Sequence, residues 1–318
     1  MPRKIMLLAP CFYDGGIERA LEGKALWLTR RGHAVEIVVY EIRPYLSGRP
    51  NPLLERLRAS DVRIRTLPVY GPRLHLIQRS LRVAKIALTE GFEVIDGHEL
   101  MPNLTMLLAK TLLGGRLRAV AEFHTPLRPP PAGIDVRTLR RARKLLPRAD
   151  QIVAVSHGMR EQVIGYYDLP RAAVTTIYNS FDLAEMRRLA LDDPETPVDG
   201  PFILGCGRLV EMKGFEELIK AFAVVAVEPR HRALRLLILG EGPLREALGQ
   251  CAEQYGVGSR VLFGGFRTNP WSYFARARLL PHLPRRGVRP GAGRGHGLRR
   301  AGHHLTLPVG TGRGGRPG

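Results

Sequence analysis

Short apolar runs alternate with helix-length amphipathic segments along most of this chain, and that alternation leaves the fold little freedom. The runs are Ile5 to Ala9, Ala34 to Tyr40, Val62 to Leu67, Val94 to Asp96, Ala119 to Phe123, Ile152 to Ser156 and Val174 to Ile177. Strand, helix, strand in succession means βαβ units, whose crossover helices cover both faces of a parallel sheet. An acidic, proline-containing stretch without periodicity, residues 191–201, reads as an interdomain linker. The alternation then restarts with strands at Phe202 to Cys206, Leu234 to Leu239 and Arg260 to Phe263, separated by helices at Phe215 to Val227 and Pro243 to Tyr255. The expected architecture is α/β, two Rossmann-like domains with parallel sheets at 1–190 and 202–278, the second incomplete. With so few strands, Leu209, Leu218, Ile219, Leu237 and Leu262 are expected to lack packing partners.

A length of 318 residues suits two such domains, and 44% hydrophobic with 25% charged residues is ordinary for a soluble globular protein. No apolar run is long enough to span a bilayer, and Ile5 to Ala9, although preceded by Arg3 and Lys4, is too short for a signal-peptide core. Cys11, Cys206 and Cys251 are odd in number and widely spaced, which fits neither a disulfide framework nor a thiolate metal site. A reducing cytoplasm is the expected compartment.

The formal charge of +20 selects for anionic partners. Eight of the 49 basic residues and none of the 29 acidic ones fall in 279–318, so the body of the chain is basic as well. Arg73, Arg79, Arg82 and Lys85 lie on an expected helix from Arg73 to Thr89 with an apolar face of Leu74, Ile77, Leu81 and Ile86. Such a helix either faces a core with its basic side in water or docks on an anionic membrane.

Four motifs carry chemistry. After the strand at Phe202 comes Gly207-Arg208-Leu209-Val210-Glu211-Met212-Lys213-Gly214, two cations between glycines at a strand exit. That pattern brings backbone amides and positive charge to one anionic group, as a diphosphate requires. After the first strand, Gly15-Gly16 opens a helix whose N-terminus adds partial positive charge. His98 and His124 each follow a strand, where ligands of open α/β sheets bind. Gly240-Glu241-Gly242 follows a later strand, but Arg245 occupies the third glycine position of a dinucleotide fingerprint, which argues against a nicotinamide enzyme.

The segment Gly207 to Gly214 resembles the donor-phosphate motif of retaining glycosyltransferases of family 4, which have the GT-B fold. Further marks of that resemblance are Gly15-Gly16, Phe123-His124, Ala149 to Ser156, Ile177 to Asp182, and Gly264-Gly265-Phe266-Arg267. The resemblance implies transfer of a sugar from a nucleotide-sugar to an acceptor hydroxyl with retention, in cell-envelope polysaccharide or glycolipid synthesis. It implies that His124, Arg208 and Lys213 act on the sugar and its diphosphate, and that Gly15, Gly16, Gly207, Gly240, Phe266 and Arg267 bind the donor. It implies no cofactor and no metal, a glycan or lipid-linked acceptor, peripheral association with an anionic inner membrane face, and no specific nucleic acid. A reading of another class is a catalytically inactive fragment that binds anionic partners through its basic surface.

The resemblance runs from residue 4 to 278 and then stops. No acidic residue follows Glu253, whereas the resemblance implies two glutamates with seven residues between them in this region. Residues 279–318 contain 11 glycines and have no period, which describes a segment with too little apolar surface to pack. Rereading the underlying codons of 286–305 one base over permits Glu-Ala-Phe-Gly-Leu-Val-Leu-Ala-Glu followed by a small-residue helix and an apolar strand. A shifted or truncated reading frame is the expectation, against a genuine arginine-glycine tail that is unstructured or binds RNA.

Overall fold

The computed structural model describes residues 1–12, 16–42, 52–67, 75–127, 134–180 and 182–280. The chain divides into two compact units, Met1–Phe181 and Asp182–Gly318.

The first unit runs β1 (Lys4–Phe12), α1 (Gly16–Arg30), β2 (Ala34–Ile42), α2 (Pro52–Arg58), β3 (Arg63–Thr66), α3 (His75–Glu90), β4 (Val94–His98), α4 (Leu100–Leu113), β5 (Arg118–Phe123), α5 (Val136–Leu145), β6 (Gln151–Ala154), α6 (His157–Tyr167) and β7 (Val174–Thr176). Its strands form one seven-stranded sheet in the order β3-β2-β1-β4-β5-β6-β7, parallel throughout. The order reverses between β1 and β4, the switch point beside which such sheets bind ligands. β1 shows why the sheet is buried on both faces: Met6 and Leu8 pack into one cluster, Ile5, Leu7 and Ala9 into the other. That is the two-residue period of a strand, with apolar residues at every position because helices cover both sides. Side-chain caps start two of the later helices: Asp135 accepts from the Arg137 and Thr138 amides at α5, and Ser156 from the Met159 amide at α6.

The second unit runs α7 (Leu183–Leu191), β8 (Phe202–Cys206), α8 (Phe215–Ala226), β9 (Arg235–Leu239), α9 (Arg245–Gln254), β10 (Val261–Gly265) and α10 (Trp271–Phe274). The three strands pair in parallel in the order β10-β9-β8. The expectation that Leu209, Leu218, Ile219 and Leu237 lack partners is overturned, and Leu262 is half-buried against the same sheet. Leu209 and Ile219 are fully buried, and Leu218 and Leu237 nearly so. α8 and α9 close one face around Phe215, Phe222 and Leu248, and Tyr273 with Val198 and Phe274 closes the other. Three strands suffice because helices and an extended segment lie on both sides of them, and each such buried side chain contributes about 1.5–3 kcal/mol.

Residues read from the sequence as linker are bonded within this unit. The Tyr273 hydroxyl accepts from the Thr196 amide at 3.0 Å and donates to the Thr196 carbonyl at 3.1 Å. Glu195 accepts from the Thr268 hydroxyl at 2.7 Å. On the free side of β8, the Arg278 amide donates to Phe202 and the Leu204 amide to Leu279, so the chain pairs with β8 at the point where the described residues end. The proposed rereading of 286–305 lies outside them. Among the described residues no helix is long and apolar enough to cross a membrane.

Candidate functional site

In the second unit, three strand exits are laced together by backbone. The Gly207 amide donates to Leu239 at 2.9 Å, the Gly240 amide to Gly265 at 2.8 Å, and the Leu209 amide to Glu241 at 2.9 Å. Gly207 and Gly240 have φ of 151° and 131°, which L side chains rarely adopt. A Cβ on Gly242 would stand 2.5 Å from the Leu209 carbonyl oxygen. Only glycine permits these loops to touch, and the contact fixes the segment that carries Arg208 and Lys213. Arg208 is exposed and Lys213 half-buried. The Lys213 stem lies against Gly207, its Cε 3.6 Å from where a Cβ would be. Gly214, at φ 67°, turns the chain into α8, whose N-terminal amides add partial positive charge.

The other donor-binding candidates divide. Gly16 begins α1 with open space where a Cβ would be, and Gly15 lies outside the described residues. Phe266 is half-buried. Arg267 donates to the Tyr273 hydroxyl at 3.2 Å and the Thr196 hydroxyl at 2.9 Å. A cavity of about 430 Å³ beside α8 and α9 is lined by Val210, Glu211, Gly214 and Lys220 among others, and by neither Arg208 nor Lys213.

In the first unit the two histidines come together. His98 ends β4 fully buried, the His124 side chain is 3% exposed, and His98 Nδ1 meets His124 Nε2 at 3.0 Å. Glu122 Oε2 is 3.4 Å from the first nitrogen and 3.3 Å from the second. Lys24, from α1, donates to Glu122 and, at 2.8 Å, to Asp96 Oδ2. Burial pushes the Asp96 carboxyl up to about 7 against the pull of Lys24, with Glu122 adding to the rise. Burial also disfavours the Glu122 anion, but His124, His98 and Lys24 together outweigh it and hold that carboxyl well below its ordinary range. Burial drives His98 well below the usual imidazole value.

The β4–α4 turn locks this cluster. Glu99 sits at φ 77°, its amide bonded to the Glu122 carbonyl and its carboxylate accepting from the His124 amide at 3.2 Å. Asn103 Nδ2 donates to the same Glu122 carbonyl, and a Cβ on Gly97 would stand 2.5 Å from Asn103 Oδ1. The sequence reading singled out the histidines and missed Lys24, Asp96 and Glu122. A signal existed: Asp96 and His98 on β4, and Glu122 and His124 at the end of β5, are each two residues apart and so share a face, and His98 pairs in register with Glu122. Nothing in the sequence marks Lys24.

Several comparisons bear on these two sites. Residues 14–185 match the description Glycosyltransferase Family 4, and residues 186–290 match Glycosyl transferases group 1. The chain is 33% identical, over 43% of its length and 35% of the relative's, to an N-acetylgalactosamine-N,N'-diacetylbacillosaminyl-diphospho-undecaprenol 4-alpha-N-acetylgalactosaminyltransferase of Campylobacter jejuni. It is 26% identical, over 79% of its length and 66% of the relative's, to an uncharacterised glycosyltransferase of Methanocaldococcus jannaschii. The chain thus spans less than two thirds of the length of the curated relatives it matches. Among solved structures it resembles a glycosyltransferase of Rickettsia africae, with TM-score 0.67 and 15% identity over 87% of this chain and 71% of that one. It also resembles Anabaena HepE in complex with UDP and glucose, with TM-score 0.66 and 19% identity over 89% and 74% of the two chains. Both likenesses bear on fold, and they agree with two Rossmann-like units of the GT-B class. The match over 14–185 covers more than half of the sequence, and on that ground the chain belongs to glycosyltransferase family 4.

Proposed function

We propose that this chain is built for transfer of a hexose-type sugar from a nucleotide-diphosphate sugar to an acceptor hydroxyl, with retention. The observation that carries the reading is the glycine contact that fixes the backbone carrying Arg208 and Lys213 at the exit of β8. Departure of a nucleoside diphosphate places negative charge on the leaving phosphate, and cations already in position stabilise that charge without reorganising. They take the part that a divalent ion takes elsewhere, so the transfer itself needs none. His124 is the residue we assign to the sugar, and a UDP-sugar is the first donor to try, since HepE is seen with UDP and glucose. The Campylobacter jejuni relative is named for a diphospho-undecaprenol substrate, which supports a lipid-linked acceptor and work at an anionic membrane face. The cytoplasmic side is the compartment this reading implies. Incubation with UDP-, GDP- and ADP-sugars and an undecaprenyl-diphosphate-linked glycan, with product mass read by mass spectrometry and anomeric configuration by NMR, tests the reading. A product one sugar heavier, with the donor's anomeric configuration, is expected; nucleotide-sugar binding with inversion would overturn it.

A second reading is supported by the absence of acidic residues after Glu253. A chain with the phosphate cations but without the family's glutamates would bind anionic ligands and turn none over. Binding of free UDP without product from any donor distinguishes it.

A further inference from the structure

We infer that His98, Glu122 and His124 form a binding site for a zinc-class divalent ion. Their ligand atoms lie within 4.8 Å of one another, and the three nearest, His98 Nδ1, His124 Nε2 and Glu122 Oε2, make a triangle with edges of 3.0, 3.3 and 3.4 Å. Ligands about 2.0–2.1 Å from a tetrahedral ion stand about 3.3 Å apart, so this triangle is one face of such a shell. Two imidazoles and one carboxylate suit zinc, cobalt or ferrous iron and not magnesium or calcium.

Hydrogen bonding alone serves the triangle poorly. With both ring protons inside it, two N–H groups oppose each other across the 3.0 Å edge. With one inside, the other ring turns its N–H outward, onto His98 Nε2 or His124 Nδ1, and both of these buried atoms lack a hydrogen-bond partner among the described residues. An ion replaces the inner protons and removes the opposition. It also places N–H on His98 Nε2, 3.8 Å from Asp96 Oδ2, and Asp96 Oδ1 likewise lacks a partner. Metal-bound histidines commonly donate this outer N–H to a carboxylate, and Asp96 is the carboxylate nearest to it, at a separation longer than a hydrogen bond. With the ion bound, His124 Nδ1 also carries a buried N–H without a partner among the described residues, a cost that the metal–ligand bonds must offset.

Charge permits the ion. Lys24 bonds Glu122 through Oε1 and Asp96 through Oδ2, which leaves Glu122 Oε2 for the metal. Lys24 and Glu122 offset each other, and Asp96 adds negative charge for a divalent ion to offset in so far as it is ionised. The site lies wholly in the first unit and does not rest on the transferase reading. If His124 also serves the sugar, the two uses of its Nε2 exclude each other, and zinc is an inhibitor of transfer.

The test is a titration of the chelator-stripped 318-residue chain with Co²⁺ alone, read by visible absorption, and with Zn²⁺, read by dialysis and by the thermal midpoint. One equivalent per chain is expected, with the intense visible bands of tetrahedral cobalt, no sulfur-to-cobalt band, and a zinc-dependent rise in the midpoint. His98→Gln and Glu122→Gln should each weaken binding about 10–100-fold or more. A variant with His303 and His304 changed to Gln, and one with all three cysteines changed to Ser, should bind as the parent does. Absence of stoichiometric binding by the parent overturns the inference. So does cobalt held by thiolates, or binding that survives His98→Gln and Glu122→Gln but is lost with His303 and His304.

Discussion

A Cβ built on Gly240 would stand 2.0 Å from the carbonyl oxygen of Gly207. No rotamer relieves that overlap, because the atom struck is backbone and the loops are hydrogen-bonded on either side of it. Gly240→Ala should therefore destabilise the second unit by about 3 kcal/mol, combining overpacking with an unfavourable φ. Gly23→Ala is the contrast: it lies inside α1 with open space around it and should stabilise by about 1 kcal/mol. Each unit holds one of the two tryptophans, Trp27 and Trp271. Urea unfolding followed by fluorescence of Trp27→Phe and Trp271→Phe backgrounds assigns each effect to its unit, and a Gly240→Ala protein as stable as its parent would show that the loops part freely.

If the fixed cations act on departing phosphate charge, Arg208→Ala and Lys213→Ala should lower kcat/KM for sugar transfer by about 100-fold each, mostly in kcat. Lys213→Ala also removes packing against Gly207, so Lys213→Met is the cleaner variant. Steady-state kinetics in a frame-restored protein give the answer. A rise in acceptor KM alone, with kcat intact, would take both residues out of the chemistry.

The fold was legible because βαβ alternation is written in periodicity: all ten strands among the described residues fall on apolar runs read from the sequence. The Arg208–Lys213 loop was legible because glycines mark it. The Lys24–Asp96–Glu122–His98–His124 cluster was legible only in part. Strand neighbours two residues apart leave a trace, but contact between β4 and β5 and the arrival of Lys24 from α1 are decided by sheet order. The predicted loss of core partners in the second unit failed for a related reason: strand count was a poor guide to coverage, since α10 and the segment before β8 seal a face that periodicity does not describe.

Asp150 joins α4 to the β5–β6 edge: it accepts from the Ala119 amide at 2.7 Å and pairs with Lys110 and Arg118. Burial opposes its ionisation, but Lys110 and the Ala119 amide prevail and hold the carboxyl below its ordinary value. A carboxyl lowered on folding stabilises above the unfolded pKa of about 3.9 and loses that contribution as pH falls through the folded value. Asp150→Asn should then cost about 1 kcal/mol at pH 7, because the group is partly exposed, and nearly nothing below about pH 3. Urea midpoints at both pH values decide it, and an equal cost at both would mean that the charge is irrelevant.

Sugar transfer should survive chelation. If Arg208 and Lys213 hold the diphosphate the transfer needs no ion, and if His124 serves the sugar the inferred metal site competes for its Nε2. Excess chelator should leave the initial rate of a frame-restored protein unchanged or raise it, and added Zn²⁺ should lower it. Loss of activity in chelator, regained with Mg²⁺ or Mn²⁺, would contradict the assignment of phosphate charge to the two side chains.

The bonds from Arg278 to Phe202 and from Leu204 to Leu279 bring the chain alongside β8 in parallel, where a fourth strand of a Rossmann unit belongs. The rereading of 286–305 would place there two glutamates with seven residues between them, followed by a small-residue helix. Sequencing codons 275–318 on independent DNA should therefore reveal a one-base difference. A restored protein should show a higher urea midpoint for Trp271 than the 318-residue chain, because new helix and strand bury more apolar surface. It should also bind UDP-sugar at least about tenfold more tightly, the value of one charge-assisted hydrogen bond to ribose. Restoration that leaves both the Trp271 midpoint and the affinity unchanged would mean that the arginine-glycine sequence is the protein's own.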